Sequence, residues 1–520
     1  MDEQIPVKTS LSELYPADAL TTSKKRWKNL ISKFQSEFGH NPTFIARCPG
    51  RVNIIGEHID YSLYDALPAG VVADVIIAVA SSLAKSNQFA VAISNTNPEK
   101  FSSRNLEFKD KDSIDIDAAK HEWTNYFKAG LKGALPLLSK ANPDFRQSNL
   151  EILVDGTVPT GGGLSSSAAF VCASALSVLY GNGVHSITKR SLTELAIVSE
   201  RSVGVNSGGM DQSASVCSES GKALHVAFYP QLSVEPVSFP KTDPPLTFMI
   251  AQSFVASDKH VTGPVCYNLR VVEVTLAAEY IAAKLGLKLP QDSSSLGRSL
   301  RGLQEAYFAS NKTNKDFSSE SDRVSHMLSL VQEHLSNKNG YDRQEIATTL
   351  GISISELEER YMTTFPIHAE NFLLNQRATH VYSEALRVHK FITLMKESSP
   401  SSSQESETLL KELGDLMNQS QISCREVYDC SCPELDEMCN IAREAGSYGS
   451  RLTGAGWGGC TVHLVPKDKV DDIRTAWIDK YYKTKKPDLS QEQRAEAVVV
   501  SEPGHGAMII ELQDNSEFLT

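Results

Sequence analysis

The chain has 520 residues, with 51 Lys and Arg against 63 Asp and Glu and a formal net charge of −12. Apolar residues make up 41%, enough for a large core without disulfide staples, and the length suits two or three domains or one large two-lobed enzyme. The acidic balance argues against nucleic acid as a partner, because its binders carry a basic footprint, and against docking on an anionic membrane. Met1–Leu20 is mixed and acidic and lacks the apolar stretch of a secretory leader. The nine cysteines are then expected as reduced thiols in the cytoplasm.

Phe44, Ala46 and Cys48 alternate with polar or long residues, which predicts a strand running into a Pro-Gly turn. Pro49–Pro68 (PGRVNIIGEHIDYSLYDALP) then crowds Arg51, Glu57, His58 and Asp60 around Gly56. Carboxylates accept from hydroxyl groups and Arg or His donates, so the cluster suits a polyhydroxylated ligand. Flanking apolar residues (Val52, Ile54, Ile55 and Ala66–Gly70) place it in a cleft rather than on a solvated turn. Ala66–Ala80 contains Pro68, Gly70 and Asp74 and is too short to span a bilayer. Within it, Val72–Val79 reads as a buried strand.

Leu150, Ile152 and Val154 alternate as a further strand, which leads into Val158–Phe170 (VPTGGGLSSSAAF) and an Ala-rich core helix over Ala168–Leu179. Glycines admit positive φ and let phosphate oxygens approach backbone N–H groups. Serines at a helix start can cap it, bind phosphate or reach Mg²⁺. The helix terminus itself attracts anions. A polyanion can thus be held here without Lys or Arg, against the acidic average. A Gly/Ser linker would not be wedged between an apolar strand and an apolar helix. No G-x-x-x-x-G-K-[ST], H-R-D or D-F-G is present, which excludes P-loop proteins and protein kinases.

Val203–Ser215 (VGVNSGGMDQSAS) sets Asp211 behind Gly208-Gly209. Asp211 either caps the following helix or acts as a proton acceptor, and the segment alone does not choose. Gln291–Ser299, Ser310–Asp322 and Ser398–Ser406 read as polar loops or insertions beside helical segments at Leu328–Leu335 and His380–Lys396. Cys424, Cys430, Cys432 and Cys439 lack a zinc spacing and are expected to pack as thiols. Ser450–Leu464 (SRLTGAGWGGCTVHL) is a glycine-rich turn before an alternating strand, outside any Rossmann context. Strand and helix signals mix throughout, which predicts an α+β class.

Four segments, PGRVNIIGEHIDY, VPTGGGLSSSAAF, SGGMDQSAS and SRLTGAGWGGC, occur in this order. Together they resemble the GHMP kinases and, within them, the galactokinases, the long eukaryotic form in particular. The resemblance runs from about Phe44 to Val465. It implies a two-lobed α+β fold with the active site in the cleft, an N-terminal lobe over 28–215 and a C-terminal lobe over 216–520. It implies transfer of the ATP γ-phosphate to the anomeric hydroxyl of D-galactose, the first step of galactose catabolism. By the same resemblance Asp211 is catalytic and Arg51 activates or stabilises the reacting hydroxyl. Glu57, His58, Asp60 and Tyr267 contact the sugar together with Arg51 and Asp211. Gly161, Gly163, Ser165 and Ser167 form the ATP phosphate loop, with Ser257, Asp258 and Lys259 as a further nucleotide-side segment. Ser166 and Glu200 serve Mg²⁺, and the loop around Trp457 closes on the site. The implied partners are a sugar and ATP, with no nucleic acid or membrane, on a cytoplasmic monomer. Two alternatives stand beside this: an N-acetylgalactosamine kinase, which shares all four motifs, and a galactose and ATP sensor acting through a regulatory protein, a kind that resembles galactokinase but has lost residues from the serine–alanine run. The unbroken run Ser165–Ala169 favours catalysis over the sensor.

Overall fold

Alternation at the start of the strand Phe44–Ile55 puts Phe44, Ala46 and Cys48 into one core and Ile45 into another, as side chains of period two require. The neighbouring strand Leu67–Leu83 divides likewise, with Val75, Ile77 and Val79 on the first side and Ile76, Ala78 and Ala80 on the second. The computed structural model describes residues 1–512 except 86–87, 118–119, 121, 142–145, 205–206, 257–262, 311–316 and 364–366.

These strands lie inside a seven-stranded sheet ordered Val7–Lys8, Met508–Glu511, Phe44–Ile55, Leu67–Leu83, Ser148–Gly156, Phe89–Asn95 and Arg104–Phe108. Helix Ala17–Phe38 covers one face through Trp27, Leu30, Ile31 and Phe34. The Ala-rich helix Ser166–Gly181 covers the other, buried from Ala168 to Tyr180 apart from its partly exposed Phe170. Residues beyond 216 also build this sheet: Met508–Glu511 pairs antiparallel with the 44–55 strand, Ile510 opposite Ile45. A buried ion cluster ties the layers together. Asp74 accepts from Arg47 Nε at 2.6 Å, Arg26 Nη1 at 2.5 Å and the Tyr15 hydroxyl at 2.6 Å, while Arg47 Nη1 donates to the His505 carbonyl at 2.7 Å.

The second lobe holds a four-stranded antiparallel sheet ordered Gly449–Thr453, Cys460–Pro466, Leu246–Gln252 and Val498–Ser501. Its helical layer includes helices Tyr267–Lys284, Leu374–Glu397, Ser403–Glu426 and Pro433–Glu444. Among the described residues no helix is long and apolar enough to cross a membrane.

The expected helices at Leu328–Leu335 and His380–Lys396 fall within Glu320–His334, with Leu335 as its C-cap, and within Leu374–Glu397. Part of the Ser398–Ser406 stretch is helical instead of loop. Ser402 caps the Ser403–Glu426 helix by accepting from the Glu405 N–H at 3.2 Å, the usual work of serine at a helix start. The thiols of Cys424, Cys430 and Cys439 are buried and Cys432 is half-buried.

Candidate active site

Two register shifts in the pairing of the 44–55 and 67–83 strands, at Pro49/Arg51 and Asn53/Ile55, bracket Arg51 and its neighbours. Such irregularities bend a strand and re-aim its side chains. Arg51 is buried and spans two motifs: Nε donates to Asp211 Oδ1 at 2.7 Å and Nη1 to the Gly163 carbonyl at 2.7 Å. The second Asp211 oxygen accepts from Ser165 Oγ at 2.6 Å. Asp211 therefore does not cap its own helix, Met210–Cys217, which has no side-chain cap.

Ser165 stands at the N-cap of the Ser166–Gly181 helix with φ 57°, and its side chain makes no cap. The left-handed turn sends the hydroxyl to Asp211. The first N–H groups of a helix have no partner within it and are available to an anion. Gly163 has φ +74°, and a Cβ there would meet the Thr453 carbonyl at 2.8 Å. The glycine-rich Gly454–Gly459 turn thus packs directly on the phosphate loop.

Asp60 accepts from the Met210 N–H at 3.4 Å, and burial, reinforced by Asp211, pushes its carboxyl up to about 6. Gly208 is required beside it, since a Cβ would lie 2.5 Å from the Asp60 carboxylate. Glu57 accepts from Arg451 Nη2 at 2.9 Å, Asn53 Nδ2 at 3.0 Å and the Gly454 N–H at 3.1 Å. Burial pushes its carboxyl up to about 7, with Arg451 and Arg51 pulling the other way. His58, at φ 61°, places Nδ1 2.9 Å from the Tyr61 hydroxyl and Nε2 2.9 Å from the Ala455 carbonyl. Its ring packs against Tyr267 at 5.5 Å and Trp457 at 5.7 Å. Burial, then Asp60 and Asp211, raise the Tyr267 phenol well above its ordinary 10.0, so it remains a donor.

Glu200 is buried, and Gln212, the neighbour of Asp211, donates to it. Glu200 also acts on the Cys172 thiol, which lies on the helix that Ser166 begins. Among the described residues no group of three or more His, Cys, Asp or Glu could hold a metal. A single buried carboxylate and helix-start hydroxyls are nevertheless hard oxygen donors. That chemistry fits Mg²⁺, which takes one or two protein oxygens and completes its shell with phosphate and water. Ser257, Asp258 and Lys259 lie outside the described residues.

Sequence reasoning missed Arg451, Thr453 and Arg201 as site residues. Thr453 Oγ1 accepts from the Asn53 N–H at 2.8 Å, and Arg201 bears on Asp60 and Tyr267. Arg451 and Thr453 stood inside a quoted motif, where their type and position were the available signal.

The family model for the galactokinase galactose-binding signature matches residues 32–81, that for the GHMP kinases N terminal domain 125–219, and that for the GHMP kinases C terminal 406–483. A galactokinase of Saccharomyces cerevisiae is 42% identical over 505 residues, covering 93% of this chain and 94% of the relative. One from Candida albicans is 40% identical over 497 residues, covering 94% and 95%. A crystal structure of Lactococcus lactis galactokinase complexed with galactose superposes with a TM-score of 0.61 at 24% identity, covering 92% of this chain and 98% of that one, and supports the two-lobed α+β fold.

Proposed function

Because the chain belongs to the galactokinase family of the GHMP kinases, we propose that Arg51 and Asp211 carry the transfer of the ATP γ-phosphate to the anomeric hydroxyl of D-galactose. The observation that carries this reading is the Asp211 carboxylate held between Arg51 and Ser165, with Arg51 also bonded to the phosphate loop at Gly163. Phosphoryl transfer needs alignment and charge stabilisation more than covalent chemistry. Both Asp211 oxygens are oriented by these donors, and a carboxylate oxygen can accept more than one hydrogen bond. The carboxylate is therefore suited to receive the hydroxyl proton. Arg51 stabilises negative charge on the attacking oxygen and the transferring group.

Asp60, Glu57, His58 and Tyr267 line the sugar side, and Gly161, Gly163, Ser165 and Ser167 the phosphate side. By the family resemblance alone, Ser257, Asp258 and Lys259 are assigned to nucleotide binding. Ser166 and Glu200 would hold Mg²⁺, which when bound neutralises phosphate charge. The enzyme acts as a cytoplasmic monomer on a sugar and ATP.

The test is ADP release with Mg²⁺ on galactose, N-acetylgalactosamine and glucose. Galactose is expected to be the best substrate, and a preference for N-acetylgalactosamine would move the assignment to that kinase. Asp211→Ala is expected to abolish turnover while both substrates still bind; near-normal kcat would overturn its role.

A further inference from the structure

His380 and Glu384 lie one turn apart on the Leu374–Glu397 helix, both fully buried. They grip the backbone of the Gly56–Glu57 turn. Glu384 Oε1 accepts from the Gly56 N–H at 3.0 Å and the Glu57 N–H at 3.4 Å. His380 Nε2 lies 3.0 Å from the Glu57 carbonyl oxygen, to which it donates, so Nδ1 accepts from Ser423 Oγ at 2.8 Å. Burial lowers the His380 ring to about 4, and it stays neutral in this tautomer.

The same Glu384 oxygen accepts from Ser420 Oγ at 2.7 Å, and the other from Arg387 Nε at 2.7 Å. Ser420 Oγ accepts from Arg451 Nε at 3.1 Å, and Arg451 returns to Glu57 Oε2 at 2.9 Å. A closed ring therefore runs from Glu384 through Ser420, Arg451 and Glu57 back to Glu384. Burying an ionised carboxylate is a costly way to satisfy two N–H groups. Its effect is orientation, since two donors and one acceptor of adjacent peptides are fixed from a single helix face.

We propose that His380 and Glu384 are positioning residues for sugar recognition, fixing the peptide planes from which Glu57, His58 and Asp60 reach the sugar. This rests on the reading that the turn binds the sugar. His380 and Glu384 bond directly to the sugar turn and reach the Gly454–Gly459 turn, and through it the phosphate loop, only by way of Glu57, so the effect falls mainly on the sugar.

The experiment measures KM for galactose and for ATP in Glu384→Gln, which puts an amide donor against either Arg387 or the turn. Irreversible loss of folded enzyme lowers the rate and leaves KM unmoved, and a reversible loss of the competent fraction raises both KM values rather than that for galactose alone. The expected result is a galactose KM raised roughly tenfold or more with the ATP KM nearly unchanged. An unchanged galactose KM, or an equal rise in both constants, overturns the proposal. Asp60→Asn separates the two failures: if it raises the galactose KM while Glu384→Gln does not, the positioning role alone falls. If neither does, the sugar-turn reading falls with it. Should Glu384→Gln not fold, His380→Asn, which withdraws the bond to Glu57, decides by the same criteria.

Discussion

Arg51→Lys keeps a positive charge and removes the fork. Arg51 makes one bond to Asp211 and one to the Gly163 carbonyl, both at 2.7 Å, and a lysine ammonium at the end of a flexible stem cannot reproduce both directions. Loss of one hydrogen bond to a charged group is worth about 1.5–3 kcal/mol. At about 1.36 kcal/mol per decade, kcat/KM is expected to fall roughly 10- to 150-fold. Arg51→Met loses both bonds and the charge, and a fall of about 10³-fold or more is expected. Initial rates of ADP release, with each substrate varied in turn and the melting temperature as a control, measure both. A kcat/KM for Arg51→Lys within about threefold of the parent would refute the two-bond argument.

Burial and Asp211 raise the Asp60 carboxyl to about 6. Below that pH it protonates and loses acceptor capacity, so the galactose KM is expected to climb as pH falls through 6; a flat profile from about pH 8 to about pH 5 would count against Asp60 as a sugar acceptor. Asp74→Asn leaves the fully buried Arg47 without its carboxylate, while the half-buried Arg26 keeps Asp155, and is expected to cost about 3–5 kcal/mol in denaturant unfolding. Burial alone would raise the Asp74 carboxyl, but Arg26 and Arg47 outweigh it and hold it below its ordinary 3.8. Its stabilisation is therefore complete above that value and lost as pH falls through the lower folded one. Acid unfolding of Asp74→Asn should be correspondingly less steep.

The motif residues were legible because their chemistry is local. Glycines, serines and charges sit together within a few positions, between apolar runs that fix strand and helix. Arg51, Asp60 and Asp211 could be picked out on that ground, and the strand and core-helix periodicities matched the elements found, except that the first strand runs on through Pro49-Gly50 to Ile55 with a register shift where the sequence predicts a turn. The Ser165 bond to Asp211 was hidden, because it depends on a left-handed backbone at one residue. His380 and Glu384 were hidden for another reason: their partners in the sugar turn lie more than 300 positions away, and no local pattern records such a pairing. Met508–Glu511 is too short for its period to declare a strand.

That last strand bears on how the protein is made. The Phe44–Ile55 strand, which carries Arg51, pairs on one side with Met508–Glu511. During synthesis roughly 450 further residues must leave the ribosome before this neighbour exists, about half a minute to a minute and a half at ordinary elongation rates. For that interval the strand bearing the reactive arginine offers an open edge to any passing chain. Closure of the 67–83 side covers only the opposite edge of the strand, so this one stays unpaired by its native partner until translation is nearly over.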